Sequence, residues 1–220
     1  MSSLANPQFT PQPTPDLNLK IEGVTAEMTS VAPEIRFSLR IEDRHPMSIQ
    51  TILLYCQIQL DAPQRGYSVH EQRQLVELFG PREQWGRSMR RMIWANTSVI
   101  VLGFTGSTIV DIRIPCSFDF NVGTTKYFAA LEGGEVPVTF YFNGTVLYFD
   151  DKGGLKATTL SWDTECHFQM QVEVWREAME RHYRNFAWLC LRKDVFDKLR
   201  HYKMSHGFAT FEDAVEDAIR

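Results

Sequence analysis

Apolar and polar residues alternate along many short stretches of the first 170 residues. The alternation is regular in 17–22 (LNLKIE) and in 35–42 (IRFSLRIE), so each stretch has one apolar and one polar face. The stretch 52–60 (ILLYCQIQL) is apolar at first and then alternates, which is typical of a central strand. Further strand patterns occupy 97–102, 108–115, 118–122, 136–142, 146–149 and 157–162. This many short strands predict an antiparallel β-sandwich.

Turn signals separate several of these strands. Asn143-Gly144 is the strongest hairpin signal in the chain and predicts a turn between 136–142 and 146–149. Lys152-Gly153-Gly154 predicts a second hairpin. The segment 103–108 (GFTGST) has two glycines like a phosphate-binding loop, but it lacks the Gly-Lys-Ser/Thr ending and precedes a strand pattern. We therefore interpret it as a tight turn or bulge.

Helical patterns interrupt the strands and then replace them. Ser68 and Glu71 have the spacing of a capping box, and the helix that they start ends before Gly80-Pro81. A second helix is predicted over Arg82 to Trp94, because apolar residues recur there at helical spacing. The remaining helical patterns cover 125–131, 172–183, 193–206 and 211–219, the last with Thr210 as its N-cap.

Strands thus come first and helices last, the order of an α+β protein. We predict an α+β fold: an antiparallel β-sandwich with helical insertions and a C-terminal helical segment. Residues 1–16, rich in proline, are interpreted as a flexible leader. The sandwich domain is assigned to 17–170 with its helical insertion at 67–94, and the segment 171–220 is expected to pack on it.

Composition narrows the class of protein. Apolar residues make up 44% of the chain, enough for a core that needs no metal or disulfide. A net charge of −4 argues against a nucleic-acid ligand. We find neither a signal-peptide pattern nor a run of apolar residues long enough to span a membrane. The four cysteines show no CxxC spacing, which favours reduced thiols and a cytoplasmic location.

Side chains capable of metal binding or catalysis are scattered. His182, Cys190 and His201 would form a nickel or zinc site only if the fold brought them together, and we expect satisfied or surface histidines instead. Cys116, in an apolar strand, is a candidate nucleophile, but a buried structural thiol is the simpler interpretation. We assign no catalytic residue, no cofactor and no metal site.

One basic and aromatic cluster stands out in the insertion. Arginine and tryptophan are the residues that most often dominate protein interfaces, so a protein-binding role is a hypothesis for it. The simpler interpretation is a solvated helix face with tryptophans in the core, and a nucleic-acid contact is the remaining alternative. The candidate partner-binding residues are Arg82, Trp85, Arg87, Arg90, Arg91 and Trp94.

A series of motifs from residue 35 to the C-terminus carries a family resemblance. The motifs are Tyr55-Cys56-Gln57-Ile58, Leu78-Phe79-Gly80, Trp85-Gly86, Trp94, Gly103-Phe104-Thr105-Gly106, Pro115-Cys116, Phe118-Asp119-Phe120, Lys126-Tyr127, Phe142-Asn143-Gly144-Thr145, Trp162-Asp163 and Trp175. In order and spacing the chain resembles a bacterial family of unknown function, whose genes often neighbour those of nickel–iron hydrogenases. The resemblance implies an accessory role and supplies no catalytic residue.

We therefore expect a non-enzymatic accessory or interaction protein, with assembly or maturation of a hydrogenase-type complex as the role that the resemblance implies. The alternative is a β-sandwich module that binds a small ligand or a metal. A hydrolase that uses Cys116 is the third hypothesis. Partner identity and oligomeric state are left open at this stage.

Overall fold

The computed structural model describes residues 14–45, 47–161, 163–186, 189 and 191–220. Residues 1–13 of the predicted leader, and Cys190 of the hypothetical metal site, lie outside these ranges. The chain divides into two compact units, with the boundary between Arg184 and Asn185.

The first unit contains two antiparallel sheets, which confirms the predicted fold class. One sheet has the strand order β1-β2-β5, and the other has the order β4-β3-β6-β7, with β8 also paired to β6. The aromatic rings of Phe37 and Phe140, one from each sheet, meet at 5.0 Å between centroids. The strands are β1 (Leu17–Ala26), β2 (Glu34–Asp43), β3 (Ser48–Leu60), β4 (Met92–Thr105), β5 (Ser107–Pro115), β6 (Glu135–Phe149), β7 (Leu155–Thr159) and β8 (Glu165–Gln171).

Strand β2 shows how alternation in the sequence becomes a core. Ile35 and Phe37 are completely buried, while the intervening Arg36 faces outward and forms an ion pair with Asp111 on β5. Removing apolar side chains from water at alternate positions therefore fixes which face of the sheet packs inward.

Short helices fill the insertion between β3 and β4. The capping box of α1 is confirmed: the Ser68 hydroxyl accepts a bond from the Glu71 amide at 3.1 Å, and the Glu71 carboxylate accepts one from the Ser68 amide at 2.8 Å. The helices of the first unit are α1 (Val69–Gln74), α2 (Val76–Phe79), α3 (Trp85–Ser88), α4 (Val122–Ala130) and α5 (Val172–His182), with 3-10 turns at Ala62–Gln64 and Arg82–Gln84.

The prediction of one helix from Arg82 to Trp94 was wrong. Helix α3 ends at Ser88, and β4 begins at Met92. Trp94 is buried against the rings of Phe37 and Phe128 as a strand residue. Packing against the opposite sheet therefore overrides the local helical spacing.

The predicted strand 118–122 was also wrong. Phe118 to Phe120 form a turn, and Asn121 is the N-cap of α4, where its side chain accepts a bond from the Thr124 amide at 3.0 Å. The Asn121 amide group also donates to the backbone oxygens of Ile93 and Trp94. The segment thus ties α4 to the start of β4 instead of adding a strand.

The hairpin predicted at Asn143-Gly144 does not exist, because β6 runs unbroken from Glu135 to Phe149. Gly144 lies opposite Leu54 on β3, and a Cβ atom on Gly144 would lie 2.3 Å from the backbone oxygen of Leu53. The glycine allows two central strands to approach closely. The predicted turn at 152–154 is confirmed, with Gly153 at a φ of +77° between β6 and β7.

The second unit is a helical hairpin of α6 (Lys193–His206) and α7 (Phe211–Ala218). Gly207 ends α6 in the left-handed conformation. The ring centroids of Phe196 and Phe211 lie 5.4 Å apart. Packing of this segment on the sandwich stays a prediction. Helix α5 belongs to the first unit, where Trp175 stacks on Phe128. None of the helices described is long and apolar enough to cross a membrane.

Candidate functional site

A buried ion pair anchors the insertion between β3 and β4. The Arg65 guanidinium donates two parallel bonds to the Glu71 carboxylate, at 2.9 and 3.1 Å, and both side chains are almost fully buried. Arg65 also donates to the backbone oxygens of Gly133 and Glu135. A bidentate pair with its remaining donors satisfied is the geometry that compensates for desolvation. The pair therefore fixes the insertion against the loop before β6.

Burial alone would raise the pKa of the Glu71 carboxyl group, because it disfavours the charged form. The bonds from the Arg65 guanidinium and from the backbone amides of Glu132 and Ser68 outweigh it and hold this pKa below its ordinary value. Glu71 is consequently a carboxylate at neutral pH, and its charge neutralises that of Arg65.

Tyr67 and Trp85 form an aromatic floor beside this pair. The Tyr67 hydroxyl donates to the backbone oxygen of Ala62 at 2.7 Å and accepts a bond from the buried Tyr127 hydroxyl at 2.8 Å. The Trp85 indole N–H donates to the backbone oxygen of Gly80, and the centroids of the Trp85 and Tyr67 rings lie 5.3 Å apart in a perpendicular arrangement. Because both polar tips are bonded, the two rings are held in fixed positions.

An open cavity of about 380 Å³ lies above this floor. We call it the arginine cavity. Its lining includes Arg65, Tyr67, Arg82, Trp85, Arg90 and Arg91.

The four arginines of the cavity differ in how their charge is compensated. Arg65 is paired with Glu71, and Arg91 is paired with Asp61 at 2.7 Å. Arg82 lies over the Trp85 ring, and the described residues provide no carboxylate within ion-pair distance of it. Among the described residues, Arg90 donates only to the backbone oxygens of Gly86 and Met89. The cavity therefore presents two exposed guanidinium groups whose charge is not neutralised.

A polar chain across the five-stranded sheet positions Arg91. The buried Thr139 hydroxyl donates to the Asp61 carboxylate, and the Nδ1 atom of His167 lies 2.9 Å from the same hydroxyl oxygen. Since threonine has one hydroxyl proton, His167 is the donor in that bond. Thr139 is completely buried, so its hydroxyl cannot be reached from solvent to act as a nucleophile. This series of hydrogen bonds holds the Asp61 carboxylate in place for its ion pair with Arg91.

The structure brings four of the six predicted partner-binding residues together. Arg82, Trp85, Arg90 and Arg91 line the cavity, as stated above. Arg87 is exposed but does not line it, and Trp94 is buried in the core. Arg65 could not be identified from the sequence, because the capping box indicates Glu71 but not its charged partner.

The residues of the hypothetical metal site are divided between the first compact unit, the second compact unit and a position outside the described residues. Both ring nitrogens of His182 lie 3.0 Å from backbone oxygens, those of Ala178 and Ser30. Cys190 is outside the described residues, and His201 belongs to the second unit. Among the residues with defined positions, no three His, Cys, Asp or Glu side chains converge on a point that a metal ion would occupy.

Cys56 and Cys116 are expected to resist alkylation in the folded protein. Burial raises the pKa of the Cys116 thiol to about 12 and that of Cys56 further, so almost no reactive thiolate exists at pH 8. Iodoacetamide at pH 8 followed by peptide mass spectrometry should modify both only after denaturant is added. Alkylation of Cys116 in the native protein at the denatured rate would contradict this burial and revive the nucleophile hypothesis.

Comparison with solved structures finds chains of low sequence identity and low TM-score. A protein from Bordetella pertussis assigned as ApaA shares 11% identity over 73% of this chain and 96% of its own, with a TM-score of 0.27. A β-glucosidase from Kluyveromyces marxianus shares 13% identity over 70% of this chain, with the same TM-score, and the chain spans only 15% of that enzyme. Neither similarity supports an inference about function.

A search of curated proteins returns no match. A model of a protein family, however, matches residues 14–220, which include the arginine cavity, most of the first compact unit and all of the second. The chain therefore belongs to the family of unknown function DUF6084.

Proposed function

We propose that this protein is a non-enzymatic interaction protein that binds an acidic segment of a partner protein in the arginine cavity. The observation that carries the proposal is the pair of uncompensated guanidinium groups, Arg82 and Arg90, above a fixed aromatic floor. Guanidinium groups are weakly hydrated, so they lose little hydration free energy when a partner covers them, and they bind carboxylates through two parallel hydrogen bonds.

The charge of the whole chain makes this cavity distinctive. The net charge is −4, so a cationic cavity is a local reversal of the net charge of the chain. Such a reversal concentrates an acidic partner at one site and disfavours contact elsewhere on the surface. For the same reason we expect a protein partner and not a nucleic acid, which usually requires a broad basic surface.

The partner that we propose to test first is a subunit or maturation factor of a hydrogenase-type complex in the bacterial cytoplasm. This part of the proposal rests on the gene neighbourhood that the family resemblance implies and on the absence of paired cysteine motifs. The identity of the partner is independent of the proposal that the cavity is the binding site, because another acidic partner would use the same arginines.

A small anionic ligand is the second candidate. A volume of about 380 Å³ lies within the range of small-molecule sites. A partner protein fits better because the cavity is open at the surface, where a ligand would remain partly solvated. Binding of a small dicarboxylate as tight as that of an acidic peptide would favour the second candidate.

We expect Arg82→Glu to weaken binding of a fluorescent hexaglutamate peptide by about tenfold or more, because it replaces an attraction in the cavity with a repulsion. Arg90→Glu should behave in the same way. Arg87→Glu is the matched control, since it changes the net charge equally but lies outside the cavity, and we expect a change below about threefold. Titrations at low and physiological salt measure the affinities. Equal weakening by all three variants would show that only overall charge matters.

A further inference from the structure

Strand β4 forms an open edge of the five-stranded sheet. It pairs with β3 on one side, and on the other the Asn121 side chain bonds to the backbone oxygens of Ile93 and Trp94 only. From Ala95 to Thr105, no other described segment of the first unit forms backbone hydrogen bonds to the outward-facing groups. A row of unpaired N–H and C=O groups is a template for another strand.

The other edges carry charges that discourage such pairing, but β4 does not. Proteins protect exposed strand edges with charged residues, proline or short length. Strand β4 is 14 residues long and contains no charged residue and no proline. The charged residues on the other edge strands are Lys20 and Glu22 on β1, Asp111 and Arg113 on β5, Lys156 on β7 and Glu165 on β8.

The side chains that β4 presents to solvent are apolar at its centre. Ile100 is 67% exposed and Leu102 is 78% exposed, and Leu53 lies opposite Ile100 on the neighbouring strand. Ile100 is the midpoint of the stretch 95–105 whose outward backbone groups are unpaired. A strand added at this edge would cover part of these side chains as well as the backbone groups.

We propose that β4 of a second copy of this chain pairs antiparallel with β4 along this edge, so that the two five-stranded sheets become continuous across a two-fold axis near Ile100. A strand related to itself by a two-fold axis presents the same donors and acceptors to its partner. The two-fold axis would also bring charged side chains of one copy close to the same charges of the other copy, unless the strand carries no charge. The uncharged stretch from Met92 to Thr105 meets that requirement, whereas a charged partner strand would find no complementary group there.

Reciprocal charge variants test this pairing, because a two-fold axis near Ile100 brings the side chain at this position close to its own copy. We expect wild-type protein to show a dimer in sedimentation at about 1–100 μM. Ile100→Lys and Ile100→Glu should each weaken dimerisation by about tenfold or more through like-charge repulsion, and an equimolar mixture of the two should dimerise again. Ile109→Lys on β5 is the control, since Ile109 is similarly exposed at an edge of the other sheet, and it should leave the dimer unchanged.

Three outcomes would overturn the proposal: a wild-type monomer over the whole range, a dimer that both Ile100 variants retain, or variants whose mixture stays monomeric. Hydrogen exchange provides a second readout that needs no mutation. Amides in 95–105 should exchange more slowly in concentrated than in dilute wild-type protein, while those of β1 should not change. Failure here would leave the arginine cavity untouched, because none of its lining residues lies on β4.

Discussion

Replacing Glu71 with alanine should lower the free energy of unfolding by about 3–5 kcal/mol, because the change leaves the Arg65 guanidinium buried without its counter-ion. It also removes the acceptor for the backbone amides of Ser68 and Glu132. Urea denaturation of the wild-type and variant proteins measures the difference. A loss below about 1 kcal/mol would show that the pair does not hold the insertion in place.

Glu77→Ala is the matched control for this variant. Glu77 is a glutamate of the same insertion and is ion-paired with Lys126, but its side chain is 71% exposed. Removing an exposed pair should cost less than about 1 kcal/mol. The contrast between two glutamates therefore isolates the effect of burial from the loss of a charge.

The pH dependence of the Glu71 effect has a definite sign. The pKa of Glu71 is lower in the folded protein than its ordinary value of 4.5, so the unfolded chain binds the proton more readily. Its contribution to stability is present above the unfolded pKa and is lost as the pH falls through the folded pKa. The stability difference between wild type and Glu71→Ala should therefore be constant near neutral pH and shrink in acid.

Replacing Gly144 with alanine should destabilise the protein by about 3 kcal/mol, because the added Cβ would lie 2.3 Å from the backbone oxygen of Leu53. A flexible side chain could move aside, but here the obstacle is the backbone of the central strand β3. Thermal or urea unfolding measures the loss. Gly23→Ala is the control, since a Cβ there meets nothing within 4 Å, and it should change stability by less than about 1 kcal/mol. Equal stability of the two variants would contradict the close strand approach.

Features encoded by neighbouring residues could be predicted from the sequence. The alternation in β2 and the capping box at Ser68 depend on residues one to three positions apart, and both appear as expected. The hairpin at Asn143-Gly144 failed because the same dipeptide also suits a position where another strand approaches closely. That approach involves Leu54, which is distant in sequence, so no local pattern reveals it.

The candidate site also combines features set by neighbouring residues with features set by residues distant in the sequence. Its arginines and Trp85 could be identified because they cluster in the sequence. Their arrangement as a cavity depends on Arg65, which is bonded to the loop before β6, some seventy residues further along the chain. Trp94 is close to these residues in the sequence but does not line the cavity, because strand alternation directs its side chain into the core.

The most direct test of the cavity as a binding site is affinity capture from the native host with three forms of the tagged protein: wild type, Arg82→Glu and Arg87→Glu. We expect wild type and Arg87→Glu to retain the same stoichiometric partner, identified by mass spectrometry, and Arg82→Glu to lose it. A hydrogenase subunit or maturation factor as that partner would support the accessory role as well. A partner retained equally by all three forms would contradict binding in the arginine cavity.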